Sequence, residues 1–291
     1  MFIFFEKTKI SFTFDWFNFN KFFFKQKINI MYQTKKINAV KSIQEGFRIA
    51  GMNWGLFIGF TVVFLVVSTV LGFIPIVSQV LSTFIYPILT IGFAVVAHQL
   101  ATNRNVSFNN FFDGFQKTVP FLILTLLKTL VGLIFAAPLI YLLLQGFGGW
   151  ESIKTLMDNS SPGDTEAAQE KLDLLKNAWR DLNIPLAIGA FFLALIPYFL
   201  FMFSAFFVWF KNSEPADALK QSASIVQNNI GPIIIFGILA TVIALISALP
   251  CGLGLLFTMP ALSCASYAAF ASVVDIDEKQ TMDTTEHFLG E

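Results

Sequence analysis

Residues 213–229, SEPADALKQSASIVQNN, lead into two apolar runs, IGPIIIFGILATVIALISAL (230–249) and GLGLLFTMPALSCASYAAFASVV (252–274), joined through Pro250, Cys251 and Gly252. Each run matches the roughly 20 residues that a helix needs to cross a hydrocarbon core about 30 Å thick. The polar segment reads as an amphipathic helix lying at a membrane surface, and the runs as a transmembrane helical hairpin. Working outward, the same unit recurs twice upstream. The expected fold is therefore all-α and polytopic: six transmembrane helices as three hairpins, each preceded by an amphipathic cytoplasmic helix.

Composition sets the class. Of 291 residues, 55% are hydrophobic and 13% charged, against about 25% charged in soluble domains. A formal net charge of zero gives no electrostatic reason for a nucleic-acid partner. The first thirty residues stand apart, built largely from Phe, Lys, Ile and Asn with no Leu, Val, Ala, Gly, Pro or Arg. They lack the continuous apolar core and small-residue cleavage site of a signal peptide. Translation from Met31 would make residues 1–30 a spurious extension; a Phe/Lys-rich interfacial anchor is the alternative. Intact mass decides between them. Residues 31–275 read as one integral membrane domain and 276–291 as an acidic cytoplasmic tail.

From Met31, Ile37, Val40, Ile43, Phe47 and Ala50 form an apolar stripe at helical spacing. The first span follows at about 56–74, with Gly55 and Gly59 in a GxxxG, and the second at about 80–101. Ser107 reads as the cap of a second amphipathic helix carrying Phe108, Phe111, Phe112 and Phe115. The third span, about 119–145, contains Lys128. An extracytoplasmic loop (147–183) includes a helical pattern with Leu172, Leu175, Trp179 and Leu182 on one stripe. The fourth span covers about 184–210, and the last two about 230–249 and 253–274.

The second span of each unit carries a proline, at Pro87, Pro197 and Pro260, followed by roughly one further helical stretch before charge returns at Arg104, Lys211 and Asp275. TFIYPIL (83–89) resembles LFTMPAL (256–262), and Ala39-Val40-Lys41 resembles Ala218-Leu219-Lys220. Each unit crosses an even number of times, so the repeat is parallel. With cytoplasmic termini, that side receives Lys35, Lys36, Lys41, Arg48, Arg104, Lys117, Lys211, Lys220 and Lys279. The other side receives Lys154, Lys171, Lys176 and Arg180, all in the long loop. This follows the positive-inside tendency.

Candidate chemistry is sparse. Lys128 is an ionisable group within a span, which by default marks function; it lies close enough to the cytoplasmic end of its run for snorkelling to the headgroups to compete with a buried ion pair or substrate contact. His98 stands alone near a helix end, where packing or a backbone hydrogen bond is the ordinary role. No HExxH, Ser/His pair or paired aspartates lies within the helices, and GLGLLF lacks the ending of a phosphate loop. Neither an enzymatic activity nor a cofactor or metal site is expected. Cys251 and Cys264 read as small packing residues. The alanine rows Ala240, Ala244, Ala248 and Ala261, Ala265, Ala269 mark helix–helix faces, making the last hairpin the expected bundle centre, with the second and fourth spans facing lipid.

The stretch IPYFLFMFSAFFVWFKNSEPADALKQSASIVQNN (196–229) with the final hairpin resembles a broad group of uncharacterised bacterial six-helix membrane proteins. They are similar to the membrane domain attached to some glycerophosphodiester phosphodiesterases, and SFNNFFDGF (107–115) resembles that group's Phe-rich helix. The resemblance covers about residues 37–275 and implies a bacterial cytoplasmic-membrane protein; the phosphodiesterase barrel has no counterpart here. The expected partners are membrane lipids and a membrane-protein partner or a second copy. Transport or conduction through a midplane site near Lys128 is the alternative role.

Overall fold

The computed structural model describes residues 35–276 apart from 74, 150–151, 153, 156–164 and 250–251. The expectations for residues 1–30, the tail beyond Ile276, Trp150 and Cys251 lie outside them. Among the described residues every regular element is helical. In order they are α1 (Ala39–Met52), α2 (Trp54–Gly72), α3 (Pro75–Ala101), a 3-10 helix (Phe108–Lys117), α4 (Thr118–Gly146), α5 (Thr165–Asp181), α6 (Ile184–Leu200), α7 (Ser204–Phe210), α8 (Pro215–Asn228), α9 (Ile230–Ala248) and α10 (Leu255–Val273). Five stretches are long and apolar enough to cross a membrane, and a sixth joins them if α1 and α2, bent by 98° at Asn53, count as one.

Local chemistry sets the boundaries. The Asn38 side chain accepts the Lys41 N–H at 2.9 Å and starts α1; Asn183 accepts the Leu186 N–H at 3.2 Å and starts α6. Asn103 and Asn212 follow α3 and α7 in the left-handed region, at φ 54° and 49°, where a short polar side chain is tolerated. Gly252, at φ 78°, turns the chain between α9 and α10.

The core lies at one end of the bundle. Its largest stretches follow the three prolines: Ile88–Ala97 of α3, Phe201–Val208 around the start of α7, and Ala261–Val274 of α10. Three short elements pack against them. α1 lies along α10, the 3-10 helix along α3, and α8 against α7 and α6. This end is called the collar end below; the opposite one carries the C-terminal end of α4.

Small residues permit the closest approaches. A Cβ on Gly46 of α1 would overlap the Ala265 backbone and stand 2.5 Å from Ala261 O. One on Gly114 would sit 2.5 Å from Ile88 O, and one on Gly92 would overlap the Phe111 carbonyl. The GxxxG of α2 makes no such contact, since the nearest atoms to Gly55 and Gly59 are 3.8 and 3.6 Å away. Aromatic rings fill the space beside these contacts. Phe60 stacks on Phe111 at 4.2 Å and meets Phe93 edge-on at 4.9 Å; Phe207 meets Phe270 edge-on at 5.0 Å.

Several faces differ from the sequence reading. The buried face of α1 is Ala39, Ser42, Ile43, Gly46, Ile49 and Ala50, so Val40 is exposed and the helix covers α10 with its small residues. The Phe-rich segment is a 3-10 helix that buries Phe111 and leaves Phe112 and Phe115 exposed. The second span is core rather than lipid-facing in its C-terminal half. Of the last two spans only α10 is central. α9 exposes Ile234, Ile238, Leu245 and Ile246 and stands at the edge.

Candidate functional site

Pro197 removes a backbone donor from the fourth span, and the helix is interrupted at Phe201–Phe203. Interrupted backbone is tolerated within a membrane only where other groups satisfy it. Here Ser222 of α8 does so: its hydroxyl donates to Leu200 O at 2.7 Å and accepts the Phe203 N–H at 3.1 Å. Pro87 and Pro260 stand inside continuous helices. The residues following them meet the 3-10 helix and α1 at Gly114 and Gly46.

His98 is buried on α3, and its Nδ1 lies 2.9 Å from the Tyr267 hydroxyl of α10. Phe210 of α7 packs edge-on against the imidazole at 5.2 Å. The pair ties the ends of three helices together. Asn229, 1% exposed at the junction of α8 and α9, accepts the Ile37 N–H at 2.9 Å and donates to Ile225 O at 2.9 Å. Lys117 donates to Val208 O at 3.2 Å and Trp209 O at 2.8 Å, satisfying the last carbonyls of α7. Its ammonium also stands 5.0 Å from the Trp209 ring centroid. At the surface of α1 the Arg48 guanidinium donates to Glu45, and this hydrogen bond holds the carboxyl below the ordinary carboxylate range.

Lys128 lies on the face of α4 that also carries the buried Phe121, Leu124, Thr125 and Phe135, and is itself half-buried. Among the described residues it has no hydrogen-bond or ion-pair partner. The structure does not bring Lys128 and His98 together by any recorded interaction. The alanine rows occupy different environments: Ala261, Ala265 and Ala269 are buried, with the first two beneath Gly46, whereas Ala240 and Ala244 are half-buried and Ala248 is exposed. Cys264 is buried in the core of α10. No group of three His, Cys, Asp or Glu side chains among the described residues could hold a metal ion.

Sequence reasoning passed over Ser222, Asn229, Tyr267, Thr125 and Gly46. Signals for two of them were present: Asn229 closes the polar segment just before an apolar run, and Ser222 stands on its helix four residues after Ala218. Nothing in the sequence pairs Tyr267 with His98 across 169 positions.

These features define a helical, membrane-embedded protein. No protein-family model, no curated protein and no solved structure matches the chain.

Proposed function

We propose that residues 31–275 form a non-enzymatic integral membrane protein of three like units, acting by helix-bundle assembly and by lipid or partner contact. One observation carries this reading. Each short collar element packs on the post-proline segment of the preceding unit: the 3-10 helix on α3, α8 on α6 and α7, and α1 of the first unit on α10 of the last. The three units thus close on one another as a ring, the packing expected of a parallel repeat. The collar end is assigned to the cytoplasm on its basic residues, in the cytoplasmic membrane of a bacterium. The collar elements are interfacial there, despite the protein-facing side of α1.

Contact with lipid or a partner falls to the exposed apolar side chains of the collar end, Phe112 and Phe115 with Val40 and Met52 of α1. Photocrosslinking side chains placed at Phe112 and Phe115 in native membranes test this. Lipid or protein adducts are expected there and not from a probe at the buried Phe111; equal labelling at all three would refute the assignment.

The unpartnered Lys128 supports a second reading, a solute transporter or channel component with its site on α4. Solute flux into proteoliposomes that Lys128→Met abolishes would establish it, and flux unchanged by that substitution would remove Lys128 from the role.

A further inference from the structure

Lys128 is the sole Lys, Arg, Asp or Glu in the apolar helices α2, α3, α4, α6, α7, α9 and α10. Among the described residues these helices therefore supply no counter-charge, and a lone ammonium in the hydrocarbon region is costly. Its depth is favourable for an external one. α4 has 29 residues and is about 44 Å long, so it overhangs a hydrocarbon core of about 30 Å. Lys128 is ten residues from Thr118, about 15 Å along the helix from the collar end. Helical side chains lean toward the N-terminus, which aims the ammonium back toward the headgroups at that end.

A second observation points to the same place. Many hydroxyls in the spans return to the carbonyl one turn earlier, among them Thr61 to Phe57 O at 2.8 Å, Thr241 to Gly237 O at 2.8 Å and Ser263 to Met259 O at 2.9 Å; the exposed Thr129 of α4 does not. Thr125, one turn before Lys128 on the same face, is 8% exposed and has no hydrogen-bond partner among the described residues. The Thr125 hydroxyl is not fully enclosed, the one fully buried unpartnered side-chain atom among the described residues being Gln99 Oε1, so it is open to a group from outside the fold. An ammonium and a hydroxyl one turn apart present donors to a single tetrahedral oxyanion, and Lys acts as a point-charge phosphate binder.

We propose that Lys128 and Thr125 bind the phosphate group of an anionic membrane lipid, entering from the half-buried rim of α4. This deepens the lipid-contact reading and rests on the chain being membrane-embedded. A free phosphate ion would offer the same chemistry. The test is native mass spectrometry of the full-length protein released from detergent, with phosphatidylglycerol, phosphatidylcholine or inorganic phosphate added, on wild type, Lys128→Met, Lys128→Arg and Thr125→Val.

The wild type should retain phosphatidylglycerol over phosphatidylcholine. Lys128→Met should lose at least about tenfold in that affinity, as expected for loss of a charge-assisted bond; Lys128→Arg should keep the preference and Thr125→Val weaken it. Displacement of the lipid by inorganic phosphate in wild type alone would identify free phosphate as the ligand of the same site. Equal retention of the two lipids, or a preference unchanged in Lys128→Met, overturns the site. Should Lys128→Met fail to fold, Thr125→Val decides, an unchanged preference overturning it. Release of the chain from membranes by alkaline carbonate would instead refute the embedded reading, a failure distinct from loss of lipid preference.

Discussion

The collar end and the rest of the bundle are made from the same residue types and packed in opposite ways. At the collar end Gly46, Gly92 and Gly114 bring backbones together, and rings such as Phe60, Phe111, Phe207 and Phe270 fill the adjoining space. Toward the other end a Cβ on Gly132 or Gly189 would have no neighbour within 4 Å, and Gly254 meets only Ser247 across the α9–α10 turn. Side chains such as Leu133, Phe192 and Leu245 are exposed there. Without a hydrophobic drive between helices in lipid, association depends on close packing and polar links, and both are concentrated at one end.

That contrast can be broken at its glycines. Gly46→Val should give the largest effect, loss of the folded bundle in a thermal unfolding assay in detergent, because the new side chain meets the backbone of α10 and cannot rotate away. Gly132→Ala should be neutral or raise stability by up to about 1 kcal/mol, the ordinary helix preference. Comparable losses from both would abolish the distinction.

Ser222→Ala comes next. It strips Leu200 O and the Phe203 N–H of their partner at the break between α6 and α7, and should cost about 1–3 kcal/mol. Thr241→Ala, which removes only a local return to Gly237 O from an exposed position, should stay within about 0.5 kcal/mol. The unfolding midpoints of the two variants make the comparison. Tyr267→Phe, which deletes the hydroxyl facing His98, should cost about 1 kcal/mol, and an unchanged midpoint would show that ring packing alone holds the three helix ends.

The smallest effect concerns Glu45. Its carboxyl is held below the ordinary range by Arg48, so its stabilisation is complete above the ordinary carboxylate pKa and fades as pH falls through the depressed value. The pair is solvent-exposed, so Glu45→Gln should leave the neutral-pH midpoint within error and slightly flatten its decline in acid.

The helices were legible in the sequence and their faces were not. Spans read at about 184–210 and 230–249 correspond to α6–α7 and α9 because run length alone defines a crossing. Inside such a run nearly every position is apolar, so no period separates a core face from a lipid face. The alanine rows of α9 and α10 look alike as sequence, yet only the row on α10 lies beneath a glycine of another element. α1 misled in a related way: reading its largest side chains favoured Val40, while packing selected Ser42, Gly46 and Ile49. At Lys128 the residue type announced a candidate, but only the fold places the unpartnered Thr125 hydroxyl beside it on a packed face.

Photolabelling with a lipid-borne diazirine in reconstituted bilayers, mapped by mass spectrometry on the unaltered chain, tests the contrast most directly. Label is expected on exposed residues such as Phe192, Ile238 and Leu245, and absent from Ile49 and from Ile91–Ala97. Equal labelling of Ile49 and Ile238 would contradict the account, placing α1 on lipid instead of on α10.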